Sequence, residues 1–290
     1  MDTIIKALAR NGSIRIFVAD TTELVREAAS RHQCYPTAAA ALGRSMSAGA
    51  LLAAFLKGED EKVTIQINGN GPLGTIMVDA NKKGDIRGFV ANPEVHFIHP
   101  ISGKLDVGRA VGHDGTLRVI RDLSLRTDFT GTVQLQTGEI AEDFAYYFTL
   151  SEQTPSAVSL GVLIDVNSEV KASGALMIQM MPEASEEDIL TAENVVANLR
   201  PISTMIDEGM TPESIAKQLF DDTILLESKP LRFACTCRKE RMADALKTLE
   251  QDELASMIDK DHGCEITCHF CNTTYHFSEK DLSELRVPDQ

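Results

Sequence analysis

Residues 62–91 read KVTIQINGNGPLGTIMVDANKKGDIRGFVA, and the architecture turns on how this stretch is parsed. Gly69, Gly71 and Gly74 follow a strand pattern with the G-x-G-x-x-G spacing of a dinucleotide-binding turn. That fingerprint needs a helix to open at this point, because the free N–H groups of a helix N-terminus hold the phosphates. Here TIMVDA and DIRGFVA follow instead, two strand-like runs joined by NKKG, which read as a β-hairpin. Pro72 also removes one backbone donor from the loop. The stretch is read as a tight turn between strands, not as a nucleotide site.

The flanking sequence continues in the same style. SIRIFVAD reads as a strand, TTELVREAASRH as a helix with a Thr cap, and a long Ala-rich helix follows Pro36. TLRVIRDL and GTVQLQTG add strands, AEDFAYYFTL reads as a helix, and SLGVLIDVNSEVKASGALMIQMM closes with a second hairpin. Strands come in runs rather than in βαβ alternation, so the expected class is α+β, with a large mixed N-terminal domain over residues 1–182.

At MPEASEEDIL the character changes. Ser185 with Asp188 resembles a capping box, and Thr211 with Pro212 opens a second short helix. Residues 183–230 carry 3 basic and 11 acidic groups of a chain with net charge −15. They read as an acidic helical linker that depends on docking, since isolated helices this short are marginal. No region is basic, which argues against nucleic-acid partners. The first residues lack a signal-peptide pattern, and Arg44 interrupts the most apolar stretch, so a buried core helix is expected there rather than a membrane span. The expected compartment is the cytoplasm, where thiols stay reduced.

Residues 231–290 form a small C-terminal unit, with two helical patterns between FACTCRKERM and CHFCNTTYHF. Cys235, Cys237, Cys268 and Cys271 make two close pairs, the arrangement of a four-thiolate zinc site. Arg238, Lys239 and Arg241 beside the first pair are expected to favour the thiolates. Cys264 and the histidines His262, His269 and His276 are nearby donors of lower rank, and Cys34 reads as a buried or inert thiol. On the residues alone, an inert structural ribbon and a redox-sensitive site both stay open. No G-x-S-x-G, H-E-x-x-H or P-loop motif announces an enzyme.

Taken together, RHQCYPTAAAALGR, GPLGTIMVDANKKGDIRGFVANPEV, SEQTPSAVSLGVL and the terminal CTC with CHFCNTTYHF resemble the 33 kDa heat-shock chaperonin family, redox-regulated bacterial holdases. The resemblance covers essentially the whole chain. It implies that Cys235, Cys237, Cys268 and Cys271 bind one zinc ion per chain in a reduced, inactive state. It further implies that oxidation closes Cys235–Cys237 and Cys268–Cys271 disulfides and releases the zinc. The unfolded switch would then let the protein bind unfolding clients without ATP, as a homodimer. Cys264 is an extra thiol beside the switch. A constitutive zinc-ribbon adaptor and a thiol–disulfide oxidoreductase using Cys268 and Cys271 are the alternatives.

Overall fold

The computed structural model describes residues 1–285 and separates into two units, Met1–Ala234 and Cys235–Gln290. Residues 286–290 of the expected 231–290 unit lie outside the described residues. The first unit opens with β1 (Thr3–Ala9) and β2 (Ile14–Asp20), followed by α1 (Thr22–Arg31) and α2 (Pro36–Ala53). Next come β3 (Lys62–Asn68), β4 (Ile76–Asn81), β5 (Asp85–Val90), α3 (Val107–Val111), β6 (Thr116–Asp122) and β7 (Phe129–Gln134). Then α4 (Ala141–Leu150), β8 (Ser156–Ile164) and β9 (Val170–Met180) lead into α5 (Glu186–Ala197), α6 (Ile202–Asp207) and α7 (Pro212–Leu219), before β10 (Ile224–Pro230) and β11 (Arg232–Phe233).

The strands form two sheets, ordered β10-β1-β2-β9-β8 and β11-β5-β4-β3-β6-β7. Only the β11–β5 pair is parallel; every other pairing in both sheets is antiparallel. Helix α2 packs against strands of both sheets and is buried at every position except Pro36 and Arg44. Its small residues make that packing sterically possible. A Cβ on Gly43 would sit 2.6 Å from Val25 Cγ1 and 2.7 Å from Val162 Cγ2. No described helix is long and apolar enough to cross a membrane.

The first sheet is covered on both faces, which explains its near-continuous apolar strands. Phe17, Ala19, Ala175 and Met177 join the core that contains α2. Ile14, Ile16, Val18, Leu176 and Ile178 point the other way, into a second core closed by Ala192, Ile202, Met205, Ile215 and Phe220 of the α5–α7 region. Residues 183–220 are thus a helical cover over an apolar sheet face. The cover begins at the expected capping box, with Ser185 Oγ accepting from Asp188 N, and Thr211 caps α7.

Two local expectations change. The segment 183–230 is not helical throughout, because Ile224–Pro230 is a strand paired with β1. Thr21 does not cap α1: its hydroxyl joins Ser47 and Ser173 at 2.7 and 2.9 Å. The first N–H groups of α1 go instead to Asp20, which takes Thr22 N, and to Asp2, which takes Glu23 N and Leu24 N. The glycine turn is committed to α3, with Gly71 N donating to Val111 O and Leu73 N to Ala110 O. Those N–H groups are unavailable to a phosphate.

The second unit holds α8 (Lys239–Leu246), α9 (Gln251–Asp259), a hairpin of β12 (Gly263–Thr267) and β13 (Thr274–Ser278), and α10 (Glu279–Leu285). Among the described residues its buried apolar cluster is Leu246, Leu254, Phe277 and Leu282, and Cys268 and Cys271 are buried as well. A core this small does not usually hold a domain by itself.

Candidate metal centre

Two turns present the sulfurs. The first runs from the end of β11 to α8 without helical structure, so residues two apart, Cys235 and Cys237, can share one side of the chain. The second is the loop of the β12–β13 hairpin. Cys268 N donates to Thr273 O at 2.9 Å and Asn272 N to Cys268 O at 2.8 Å. Asn272 takes the left-handed conformation, φ 56°, that asparagine tolerates better than most residues. This folds Cys268 and Cys271 back toward one point.

The four Sγ atoms all lie within 4.8 Å of one another. Cys235 Sγ is 3.8 Å from Cys268 Sγ, and Cys237 Sγ is 3.2 Å from Cys271 Sγ. Tetrahedral bonds of about 2.3 Å to one central metal set sulfur–sulfur separations of about 3.8 Å, so the donor set fits a metal ion. None of the six cysteines is joined in a disulfide.

The electrostatics give the same answer. Burial first, and the neighbouring sulfurs after it, push the Cys237 thiol up to about 12, although Tyr275 opposes the shift. Cys271 is held down to about 7: burial raises it, but Thr273 and Cys237 outweigh burial. Four thiolates this close repel one another; the positive charge of a bound cation would offset that repulsion and keep all four deprotonated. Two hydroxyls already face the sulfurs, Tyr275 Oη donating to Cys237 Sγ at 3.1 Å and Thr273 Oγ1 lying 3.3 Å from Cys271 Sγ. Sequence reasoning did not single these out.

The other nearby groups are engaged elsewhere. Cys264 pairs opposite Phe277 in the hairpin and packs in the small core. His262 meets Glu279 at 2.6 Å and His276 meets Glu265 at 2.9 Å. The expected help from the basic residues is reduced: Lys239 turns to Asp281 at 3.1 Å and Arg238 to Glu240 at 3.9 Å. Cys34 lies in the first unit, where burial pushes its thiol up to about 12.

Comparison with known proteins agrees with the geometry. The family model described as Hsp33 protein matches residues 2–278. A 33 kDa chaperonin of Geobacillus kaustophilus is 48% identical over 287 residues, covering 98% of this chain and 97% of that protein. One from Bacillus licheniformis is likewise 48% identical, with 99% of both chains covered. The crystal structure of the 33 kDa chaperonin (heat shock protein 33 homolog) of Thermotoga maritima superposes with a TM-score of 0.91 at 36% identity, covering 98% of this chain and 97% of that one. Matched from end to end in sequence and fold, and carrying the four-sulfur cluster, this chain belongs to the Hsp33 family.

Proposed function

We propose that the protein is an ATP-independent holdase chaperone with a redox switch, idle when reduced and metal-bound and active when oxidised. Membership of the Hsp33 family supports the chaperone reading, and the four clustered sulfurs carry the regulation. An all-sulfur tetrahedral donor set suits zinc, one ion per chain on Cys235, Cys237, Cys268 and Cys271. Bound zinc supplies folding free energy, about 10–16 kcal/mol in comparable small modules. A unit whose buried apolar cluster is, among the described residues, Leu246, Leu254, Phe277 and Leu282 depends on that contribution.

Peroxide is the oxidant class that reverses it. Each of the pairs Cys235–Cys237 and Cys268–Cys271, held as thiolates on the metal, gives up two electrons to form its disulfide, and one peroxide takes those electrons and two protons from solvent to become two waters per pair. With the sulfurs bonded to each other, the metal site is gone and residues 231–290 unfold. Residues 183–230 are the linker between this switch and the chaperone core, 1–182. Undocking α5–α7 uncovers Ile14, Ile16, Val18, Leu176 and Ile178, an apolar surface for the exposed apolar segments of unfolding clients. The oxidised protein acts as a homodimer in the cytoplasm, and it binds clients rather than catalysing a reaction on them.

The test is metal and thiol stoichiometry. A chromophoric chelator should report one zinc released per chain on peroxide treatment with warming, while thiols titratable in denaturant fall from the six of the sequence to two, Cys34 and Cys264. Zinc retained with six titratable thiols would identify a permanent structural site.

A further inference from the structure

The first unit contains an open cleft of about 790 Å³, within the size range of small-molecule sites. It lies between α2, the 96–106 loop, the end of β8 and the start of α6. Ile98, Leu105, Val162 and Ile164 give it an apolar side.

Its polar lining is unbalanced. Three carboxylates reach it, and each accepts hydrogen bonds from within the protein. Asp106 caps α3 by accepting from Arg109 N at 3.1 Å. Glu139 accepts from Arg44 Nη1 at 2.6 Å and Gly108 N at 2.8 Å. Asp165 accepts from Asn167 N and Glu169 N at 2.8 and 2.9 Å.

The donors are open. Ser203 is only 7% exposed and lines the cleft, and its hydroxyl, which stays solvent-accessible, makes no hydrogen bond among the described residues. The Lys104 ammonium makes no ion pair among the described residues. His99 accepts at Nδ1 from Ile101 N and Ser102 N, at 3.3 and 3.2 Å, which leaves its proton on Nε2 as a further donor.

We infer that this cleft binds a small organic anion, with a carboxylate or phosphate headgroup taken by the open donors and an apolar body against Ile98, Leu105 and Val162. Ser203 belongs to α6, whereas Lys104 and His99 belong to the core loop. One ligand touching both stabilises the docked helical cover by mass action. That consequence rests on the proposed switch; the binding itself does not.

The probe is phenyl phosphate, titrated calorimetrically into the reduced, zinc-loaded full chain, with inorganic phosphate and phenol as its two halves. Saturable one-site binding by phenyl phosphate, tighter than by either half, is expected. Ser203→Ala and Lys104→Ala should each weaken it about tenfold, the loss typical of a hydrogen bond to a charged group. Phenylpropionate binding at the same site would support the inference with a carboxylate head. No saturable heat, inorganic phosphate binding as tightly as phenyl phosphate, or binding unchanged in both variants would overturn it. Lys104→Ala lies on an exposed loop and guards against a Ser203 variant that fails to fold. Binding that leaves peroxide activation unaltered would keep the cleft and remove the coupling, without touching the chaperone reading.

Discussion

The Tyr275 hydroxyl, carried on the second hairpin strand of the small unit, donates to Cys237 Sγ of the first turn at 3.1 Å. One hydrogen bond thereby ties the two halves of the sulfur cluster together. Tyr275→Phe keeps the ring and removes the donor. Loss of such an outer-shell partner typically costs about 10–100-fold in metal affinity, which competition with a chromophoric chelator will measure. Unchanged affinity would make the hydroxyl incidental.

Metal removal without oxidation separates folding from redox chemistry. In strong reductant, a high-affinity chelator should unfold residues 235–285 while the first unit keeps its two sheets. NMR would show collapsed amide dispersion across residues 235–285, with Leu246, Leu254, Phe277 and Leu282 among them, and unchanged dispersion in the first unit. A fully dispersed metal-free spectrum would mean that these four side chains suffice.

Arg10 fastens the helical cover to the turn between β1 and β2. Its guanidinium reaches Glu187 at 2.8 Å and Asp188 at 2.9 Å, and its backbone N–H reaches Asp222 at 2.8 Å. The Arg10 hydrogen bond, with further help from Ser185, holds Asp188 well below the usual carboxylate range. The clasp therefore stays charged in mild acid, and salt is what weakens it. Arg10→Ala should make the segment from Leu199 to Met210 severalfold more sensitive to limited proteolysis in the reduced protein, and high salt should do the same to the parent. Equal cleavage rates would remove Arg10 from the latch.

Ile215 is 0% exposed, between α7 and the sheet. Ile215→Ala should cost about 2–5 kcal/mol, as buried large-to-small changes do, and the loss falls on the docked cover. The variant is expected to suppress client aggregation partially without oxidant. A destabilised variant that stays idle would show that this face is not the one hidden from clients.

Asp2 is buried at the start of α1, and burial raises its pKa from 3.8 to about 6 despite hydrogen bonds from Leu24 and Glu23. Between those values the folded state binds more protons than the unfolded state. Stability contributed by this group is thus fully present below about pH 4 and falls as pH rises through about 6, by about 3 kcal/mol at most. Urea midpoints of Asp2→Asn compared with the parent across that window should lack this decline. Parallel curves would place the titration elsewhere.

Much of this was legible in the sequence where structure is local. The β4–β5 and β8–β9 hairpins, the Ser185 and Thr211 caps and the two cysteine pairs are all set by residues within a few positions of one another. The β1–β10 ladder, which pairs Thr3 with Pro230, escaped because Ile224–Leu226 is an apolar run without alternation. Only a partner more than two hundred residues away makes it a strand. Helix α3 has five residues and is too short to show a period. Tyr275 and Thr273 are ordinary polar residues until the hairpin turns them toward sulfur, and Ser203 comes to line one cleft with Lys104 only through the fold.

The switch itself is tested most directly by light scattering from a heat-aggregating client. Reduced, zinc-loaded protein is compared with the same protein treated with peroxide at elevated temperature and then freed of peroxide. Suppression of scattering by the oxidised form alone is the expected result. Equal behaviour of the two forms, both active or both idle, would contradict a redox switch and leave the four sulfurs as a structural metal site.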